Sequence, residues 1–231
     1  MDIRKKHTQK TYSAIHHLYT EDFEKDYENF YFIDDLLKLV KLHRLQKHPL
    51  VDLGTGPGNV IDYILKKENK FASIIGVDFE KNFTDRLKVK YQKLDKIKVV
   101  HEDMLEFTAR QKHNSIGTYI ASYSLIHIPD FEIDELFLFI QRSLVKRGLF
   151  LFSCYRGNRK MLEQEPYQLY RDTRLRHEEI LLLYMNYFTE QELKERLLRV
   201  GLDIIKLEIL SPPSGKSAFP HKQIWVIAEK V

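Results

Sequence analysis

A glycine-rich loop directly behind a carboxylate is the part of the sequence best suited to bind a ligand. In "VDLGTGPGNV", Asp52 stands two positions before Gly54, and Gly56 and Gly58 follow at intervals of two. Glycine allows a ligand to approach the backbone closely. A dinucleotide-binding loop would have glycine rather than Asn59 at its sixth position, and a Walker loop would end in Gly-Lys-Ser or Gly-Lys-Thr. Because a fixed carboxylate repels phosphate and attracts positive charge, the loop indicates a cationic small molecule, with a tight turn that binds nothing as the alternative.

Two further acidic residues end the next two hydrophobic segments. Asp78 follows "SIIGV", at a place where an acidic side chain can accept hydrogen bonds from a ribose diol. Asp103 and Met104 follow "KIKVVHE", and a carboxylate beside a soft apolar side chain suits the exocyclic amine and the ring face of adenine. Either acid could instead cap the helix that follows it. Together with the glycine loop, the two acids predict one elongated site for a cation, a ribose and a base.

Alternating strands and helices must position these residues. Five hydrophobic segments read as strands, namely "LVDLG", "SIIGVD", "KIKVVHED", "GTYIAS" and "GLFLFSCY". The segments between them are helical or polar, which is typical of βαβ units and a parallel sheet. The last two strands, "LDIIKLEIL" and "KQIWVIAEK", are too close in sequence for a crossover and are expected to pair antiparallel. The pattern therefore predicts an α/β fold with a mostly parallel sheet.

Two segments lie outside this alternation. The apolar spacing in "FIDDLLKLVKLHRLQ" predicts a helix with one buried face, so residues 1–46 are interpreted as an N-terminal helical cap. Residues 47–231 are interpreted as the main domain, with a helical substrate lid inserted at about 156–188. This lid is rich in basic and aromatic side chains that suit an anionic or aromatic substrate, although for any single arginine plain solvation is the alternative. The side chains are Arg156, Arg159, Tyr167, Tyr170, Arg171, Arg174, Arg176, His177, Tyr184 and Tyr187.

Composition limits the remaining possibilities. A chain of 231 residues with 43% hydrophobic and 30% charged residues can bury the core of one domain, and a second full domain is not expected. The formal charge of +4 is dispersed, so nucleic acid is a weak alternative as a partner. Cys154 is the single cysteine, which excludes an internal disulfide and favours a reducing compartment. No apolar run has the length of a membrane span, and "MDIRKKHTQK" lacks the apolar core of a signal peptide, so a cytoplasmic protein is expected.

The order of these segments resembles class I S-adenosylmethionine-dependent methyltransferases along nearly the whole chain. "VDLGTGPG" resembles that family's first motif, "GVDFEKNF" its second and "HEDMLEF" its third. "SYSLIHIPD", "RSLVKRGLFLFS" and "FTEQELKERLLRVGLDII" resemble its later segments in the same order. The resemblance implies a Rossmann-like fold with a seven-stranded, mostly parallel sheet, a C-terminal antiparallel hairpin and helices on both faces, and it implies S-adenosyl-L-methionine as the cofactor. The family's Asn-Pro-Pro-Tyr motif is missing after the fourth strand, which disfavours methylation of a base amine.

The resemblance also implies which residues bind the cofactor. On the main domain they are Asp52, Gly54, Thr55, Gly56, Gly58, Asp78, Phe79, Asp103, Met104 and Ser122. "TYSAIHHLYTEDF" resembles the short helix that closes over the cofactor in small-molecule methyltransferases, so Tyr12 or Tyr19 could reach the cofactor's carboxylate. Their spacing of seven places both tyrosines on one face of a helix, which equally suits plain packing.

Two residues after the fourth strand are candidates for the chemical step. His127 lies just past that strand, at the edge where a site would open, and is the candidate general base. It could instead only satisfy backbone groups of a turn. Tyr123 could line the pocket beside the methyl group or simply pack. No cluster of histidines and carboxylates suggests a metal site, and methyl transfer from a sulfonium needs none.

The sequence therefore predicts a methyltransferase that acts on a small metabolite by in-line displacement. An anionic or aromatic acceptor is expected from the lid, no membrane partner is expected, and the protein is expected to be a monomer or a homodimer. Two alternatives remain open. One is a methyltransferase that acts on RNA or another macromolecule, and the other is a protein that binds S-adenosylmethionine without catalysis.

Overall fold

A central sheet and its flanking helices make up the fold. The computed structural model of the chain describes residues 2–67, 70–175, 179–212 and 221–231. The strands are β1 (Leu50–Leu53), β2 (Ile74–Asp78), β3 (Ile97–His101), β4 (Ile116–Ser122), β5 (Leu144–Tyr155), β6 (Lys160–Gln164), β7 (Leu182–Asn186), β8 (Leu202–Leu210) and β9 (Gln223–Lys230). The helices are α1 (Ile3–Phe23), α2 (Tyr31–Leu42), α3 (Asn59–Lys67), α4 (Lys81–Lys90), α5 (Met104–Ala109), α6 (Asp130–Ser143), α7 (Pro166–Leu169) and α8 (Glu190–Val200).

Seven strands form the main sheet in the order β3-β2-β1-β4-β5-β9-β8. Strands β1 to β5 are parallel, whereas β9 pairs antiparallel with both β5 and β8. This arrangement confirms the predicted Rossmann-like fold and its C-terminal antiparallel hairpin. Because the order reverses beside β1, the carboxyl ends of β1, β2 and β4 open together at the edge where open α/β sheets bind ligands.

Apolar side chains on both faces of the sheet explain why these segments fold as they do. All four residues of β1 are buried, as expected for a parallel strand that is covered by helices on both sides. The helix predicted from "FIDDLLKLVKLHRLQ" is α2, and its apolar stripe is buried. Phe32 of this helix stacks on Trp225 of β9 at 5.0 Å between ring centroids. Cys154 is a buried thiol in β5, and burial raises its pKa.

The helical nature predicted for residues 156–188 is wrong. Strands β6 and β7 form a separate antiparallel hairpin, and the only helix described within the segment is the four-residue α7. The run "LLYMN" was ambiguous because a short apolar run can be a buried strand or a helix segment. In the structure this segment packs against α1 and against the turn at residues 125–127, and there it forms a strand. Arg176 and His177 lie outside the described residues.

Helix α1 is held on this hairpin by polar contacts, in addition to an apolar cluster of Ile15 and Leu18 with Tyr167 and Leu181. The Thr11 hydroxyl donates to the Leu182 carbonyl at 2.7 Å, and the Tyr184 amide donates to Thr8 Oγ1 at 3.1 Å. These bonds satisfy backbone groups on the edge of β7 that the hairpin itself leaves unpaired. The hairpin and α1 therefore form one layer above the carboxyl edge of the sheet. No helix among the described residues is long and apolar enough to cross a bilayer.

Candidate functional site

Two adjoining cavities lie between this layer and the carboxyl edge of the sheet. Their volumes are about 140 Å³ and about 60 Å³. Seven residues line both cavities, and each of them was a candidate from the sequence. They are Tyr12, Tyr19, Gly54, Gly56, Ser122, Tyr123 and His127. The structure thus brings the N-terminal helix, the glycine loop and the segment after β4 to one place.

The three glycines of the loop have positive φ angles but different surroundings. Their φ values are +71°, +48° and +86° for Gly54, Gly56 and Gly58, a region that disfavours other residues. A Cβ on Gly54 would collide with Ser124, and a Cβ on Gly58 would lie 2.7 Å from Leu87. A Cβ on Gly56 would meet nothing closer than the Tyr19 ring at 3.9 Å. Packing therefore requires glycine at positions 54 and 58, whereas the Cβ direction is open only at Gly56; the backbones of Gly54 and Gly56 both line the cavities.

Asp52 is a buried residue behind the glycine loop that is hydrogen-bonded to it. Its side chain is buried, and the Thr55 hydroxyl donates to its Oδ2 at 2.7 Å. Burial raises the pKa of Asp52 from 3.8 to about 7, although the Thr55 hydrogen bond opposes this shift. Asp52 is not among the residues that line either cavity, while Thr55 lines the larger one. The structure therefore places Asp52 behind the loop rather than at the ligand surface.

Asp78 at the end of β2 joins the glycine loop to the second strand. Its Oδ2 accepts from the Gly56 amide at 2.8 Å, and its Oδ1 accepts from the Glu80 amide at 2.9 Å. Burial raises the pKa of Asp78 to about 6, and these two hydrogen bonds oppose the shift. Asp78 and Phe79 both line the smaller cavity. Each carboxylate oxygen can accept a second hydrogen bond, so Asp78 can still bind a diol there.

Asp103 also lines the smaller cavity, together with Met104 and a lysine that the sequence reasoning missed. Asp103 Oδ1 accepts from the Leu105 amide at 2.8 Å, so the helix-cap alternative is correct for this oxygen. Lys5 Nζ donates to Asp103 Oδ2 at 2.8 Å and also pairs with Glu132. Lys5 is 6% exposed. No local signal marked it, since the buried stripe of α1 contains lysine and threonine where an apolar face would be expected.

Tyr12 and His127 form a hydrogen-bonded pair at the junction of the two cavities. His127 Nδ1 lies 2.9 Å from the Tyr184 carbonyl, which can only accept, so Nδ1 carries the proton. His127 Nε2 then accepts from the Tyr12 hydroxyl at 2.9 Å. Burial lowers the pKa of His127 to about 4 and raises that of Tyr12 well above its ordinary value. Both groups are therefore neutral near pH 7, and the two nitrogens of His127 are already bonded.

Tyr123 is held in a strained backbone conformation beside a buried glutamine. Its φ is +53°, which is uncommon for a residue with a side chain. The Tyr123 hydroxyl donates to Gln223 Oε1, which also accepts from Asn29 Nδ2 at 3.3 Å and from Trp225 Nε1 at 3.2 Å. Three donors on one oxygen fix the orientation of the Gln223 amide. Sequence reasoning missed this residue, because the first six residues of β9 are all buried and nothing in the pattern of the strand distinguishes Gln223.

Comparisons with known proteins agree with this geometry. The profile of a methyltransferase domain matches residues 23–207. A search of curated proteins found no match. Among solved structures, an S-adenosylmethionine-dependent methyltransferase from Methanosarcina mazei has a TM-score of 0.60 at 16% identity, over 82% of this chain and 96% of that one.

Two other similar structures contain small molecules. The 1,6-didemethyltoxoflavin-N1-methyltransferase of Burkholderia thailandensis, solved with 1,6-didemethyltoxoflavin and S-adenosylhomocysteine, has a TM-score of 0.59 at 17% identity, over 84% of this chain and 76% of that one. The geranyl diphosphate C-methyltransferase of Streptomyces coelicolor A3(2), solved with Mg²⁺, geranyl diphosphate and S-adenosylhomocysteine, has a TM-score of 0.57 at 15% identity, over 80% of this chain and 72% of that one. At these identities the likeness concerns the fold.

Proposed function

The chain belongs to the methyltransferase-domain family, and on that premise we propose that it methylates a small molecule held in the larger cavity. Its cofactor is S-adenosylmethionine. The observation that supports a small acceptor is the position of the larger cavity, which adjoins the smaller one at Tyr12, Tyr123 and His127 and lies under α1 and the β6–β7 hairpin. A covered cavity of about 140 Å³ suits a metabolite better than a macromolecule.

The similar structures support a small acceptor without identifying it. One contains a heteroaromatic compound and another contains an isoprenoid diphosphate. These molecules differ in charge, shape and methylated atom. One fold therefore serves several acceptors, and the acceptor of this chain must be inferred from its own cavity.

The described residues fit S-adenosylmethionine at three points. Asp78 offers free lone pairs for the ribose hydroxyls, Asp103 and Met104 line the same cavity and are assigned to adenine, and Gly56 offers open backbone for the methionine end. When bound, the cofactor supplies an electrophilic methyl group on a sulfonium. The protein must then orient the acceptor and exclude water, and both tasks fall to the residues that line the two cavities.

We assign His127 a positioning role in place of the general-base role expected from its sequence position. At pH 7, protonation of a group with a pKa of about 4 costs about 4 kcal/mol, so His127 is a poor acceptor for a proton. Its lone pair instead holds the Tyr12 hydroxyl at the cavity wall, while its Nδ1 proton bonds to β7. His127 thus ties α1 and the hairpin to the segment after β4.

Replacement of His127 with phenylalanine is expected to lower kcat/KM by at least about tenfold, mainly through a higher KM for the acceptor, because the hydrogen bonds to Tyr12 and to the Tyr184 carbonyl are both lost. Tyr12→Phe removes only the bond to His127 and should have a smaller effect, and the double variant should be little worse than His127→Phe, since that variant already lacks the shared bond. The shape of the pH profile should not change. A fall in kcat of about a hundredfold or more, with loss of a titration from the profile, would restore the general-base role.

The proposed function is tested in two steps. S-adenosylhomocysteine should raise the unfolding temperature, since a ligand at 100 times its Kd adds about 2.7 kcal/mol to the free energy of unfolding. A metabolite extract incubated with protein and S-adenosylmethionine should then contain a compound that has gained the mass of one methylene group. Absence of stabilisation at concentrations well above micromolar would contradict cofactor binding. Stabilisation without any methylated product would favour a binding protein without catalysis.

A further inference from the structure

The larger cavity extends beyond the cofactor residues to the junction of β5 and β9. Tyr155 is the last residue of β5 and Gln223 is the first residue of β9, and the two lie directly opposite each other in the antiparallel pair. Both line the larger cavity, and neither lines the smaller one. Asp78 ends β2 and Asp103 follows β3, so the residues assigned to the ribose and the base lie on the other side of β1. The junction of β5 and β9 therefore belongs to the acceptor half of the site.

The amide of Gln223 is fixed so that it offers hydrogen-bond donors to the larger cavity. Its Oε1 accepts from Trp225 Nε1 at 3.2 Å, from Asn29 Nδ2 at 3.3 Å and from the Tyr123 hydroxyl. Because an indole N–H can only donate, the atom that faces Trp225 must be the oxygen, and the amide cannot be turned round. Although Gln223 is 1% exposed, its Nε2 is not sealed off by protein atoms, and it has no hydrogen-bond partner among the described residues. Its N–H groups are therefore open to a ligand.

The Tyr155 hydroxyl is a second open donor beside this amide. It too has no hydrogen-bond partner among the residues that the structure describes, and it is not sealed off by protein atoms. Residues directly opposite in an antiparallel pair have Cβ atoms about 4.5–5.5 Å apart on one face of the sheet, so Tyr155 and Gln223 enter the cavity side by side. Burial raises the pKa of Tyr155 well above its ordinary value, so the hydroxyl keeps its proton. Two neutral donors thus face the same part of the cavity.

Aromatic rings form the walls around these donors. The Tyr155 ring lies 5.6 Å from that of Tyr123 and 5.1 Å from that of His221, measured between centroids. All three residues line the larger cavity. Because aromatic faces pack well against planar molecules, this end of the cavity suits a planar ring.

No lysine or arginine is among the described residues that line the larger cavity. Burial lowers the pKa of His221, so this histidine adds no positive charge at pH 7. Arg156 pairs with Glu190 at 2.9 Å and Arg174 pairs with Asp22 at 2.9 Å, and neither arginine lines a cavity. A carboxylate or phosphate on the acceptor would lose its water there without gaining a counter-charge. The two donors therefore match an uncharged hydrogen-bond acceptor better than the anion expected from the composition of residues 156–188.

We propose that the methyl acceptor is an uncharged aromatic compound with a carbonyl group that accepts a hydrogen bond from Gln223 Nε2, with the Tyr155 hydroxyl as the second donor. This inference rests on the proposed function, because it names the class of acceptor for the same site. A compound with an amine at this position would bring donors to donors and leave the buried amide unpaired, so Gln223 and Tyr155 determine specificity. Neither the fold nor the matched family specifies this chemistry.

The test compares three probes that share a phenyl ring and differ in the attached group. Acetophenone carries a neutral carbonyl, benzoate a carboxylate and 1-phenylethylamine an ammonium. Their affinities for the full chain saturated with S-adenosylhomocysteine are measured by ligand-observed NMR at pH 8. Acetophenone should bind at least about fivefold more tightly than either charged probe. Equal or tighter binding of a charged probe, or failure of all three probes at millimolar concentration, would overturn the proposal.

Tyr155→Phe should weaken the binding of acetophenone by about threefold to fivefold. The unfolding temperature should not fall, because the hydroxyl has no partner among the described residues to lose. Tyr31→Phe removes a hydroxyl from an exposed position on α2 and should leave all three affinities unchanged. Wild-type affinity for acetophenone in Tyr155→Phe would contradict the role of this hydroxyl as a donor to the acceptor.

Gln223→Glu keeps an oxygen for the three donors and replaces Nε2 with a second oxygen. The preference for acetophenone over 1-phenylethylamine should then fall by at least about tenfold, while S-adenosylhomocysteine still stabilises the variant. Gln191→Glu adds the same charge at an exposed position of α8 and should leave the preference unchanged. A preference retained in Gln223→Glu would refute the proposal. Failure of the proposed function would instead be seen as absence of stabilisation by S-adenosylhomocysteine.

Discussion

Asp78→Ala is expected to lower the affinity for S-adenosylhomocysteine by at least about a hundredfold. The variant loses the carboxylate that accepts from the Gly56 and Glu80 amides, and it loses the acceptors assigned to the ribose hydroxyls. A hydrogen bond to a charged group contributes about 1.5–3 kcal/mol, so loss of the diol contacts alone accounts for a factor of this size. The affinity is measured by isothermal titration calorimetry.

Two further variants separate the ribose contact from general damage. Asp78→Asn keeps the size of the side chain but offers one oxygen to the two backbone amides, so it should fold with lower stability than the wild type and still bind the ligand weakly. Asp85→Ala removes the same charge from an exposed position on α4 and should leave the affinity nearly unchanged. Wild-type affinity in Asp78→Ala would refute the ribose assignment, and equal losses in Asp78→Ala and Asp85→Ala would attribute the effect to net charge.

Local patterns in the sequence predicted the main sheet. Apolar runs that end at a glycine or an acidic residue predict the strands. Helices of moderate length between them predict that the strands pair in parallel. "FTEQELKERLLRVG" carried both signals of a helix, and α8 begins after Thr189 and ends at Gly201 with φ +78°. The antiparallel pairing of β8 with β9 followed from the short connection between them.

The upper layer of the molecule could not be predicted in the same way. The hairpin of β6 and β7 forms because α1 and the turn at residues 125–127 pack against it, and these segments are far apart in sequence. The pairing of Lys5 with Asp103 spans 98 positions. Such contacts leave no periodic signal in the sequence, so a buried lysine of α1 looks there like a solvated one.

The chemistry of individual candidates also depended on geometry that the sequence does not contain. His127 was placed correctly at the carboxyl edge, since it lines both cavities. Its tautomer and its low pKa result from partners on α1 and β7. The glycine spacing likewise located the loop, but only packing distances show that a side chain is blocked at Gly54 and Gly58 and not at Gly56.

The position of Asp52 behind that loop leads to an expectation about stability. Its pKa is about 7 in the folded protein and 3.8 in an unfolded chain, so the folded state holds the proton more tightly. Stability from this group is fully present below about pH 4 and is lost as the pH rises towards 7. The loss amounts to about 4 kcal/mol at pH 8, because each pKa unit corresponds to 1.36 kcal/mol.

Asp52→Asn is therefore expected to stabilise the protein in the absence of cofactor by about 4 kcal/mol at pH 8 and by less than half of that at pH 5. The amide keeps an oxygen for the Thr55 hydroxyl, so the loop should remain in place. Urea unfolding at both pH values measures the effect, and Asp203→Asn, at an exposed position of β8, should change little at either pH. A variant that is less stable than wild type at pH 8, or equally stabilised at both pH values, would show that Asp52 is an ordinary ionised carboxylate. Stabilisation by asparagine would mean instead that the wild-type loop retains a carboxylate at a cost in stability, as expected if Asp52 acts through the field that it creates beneath a cationic ligand.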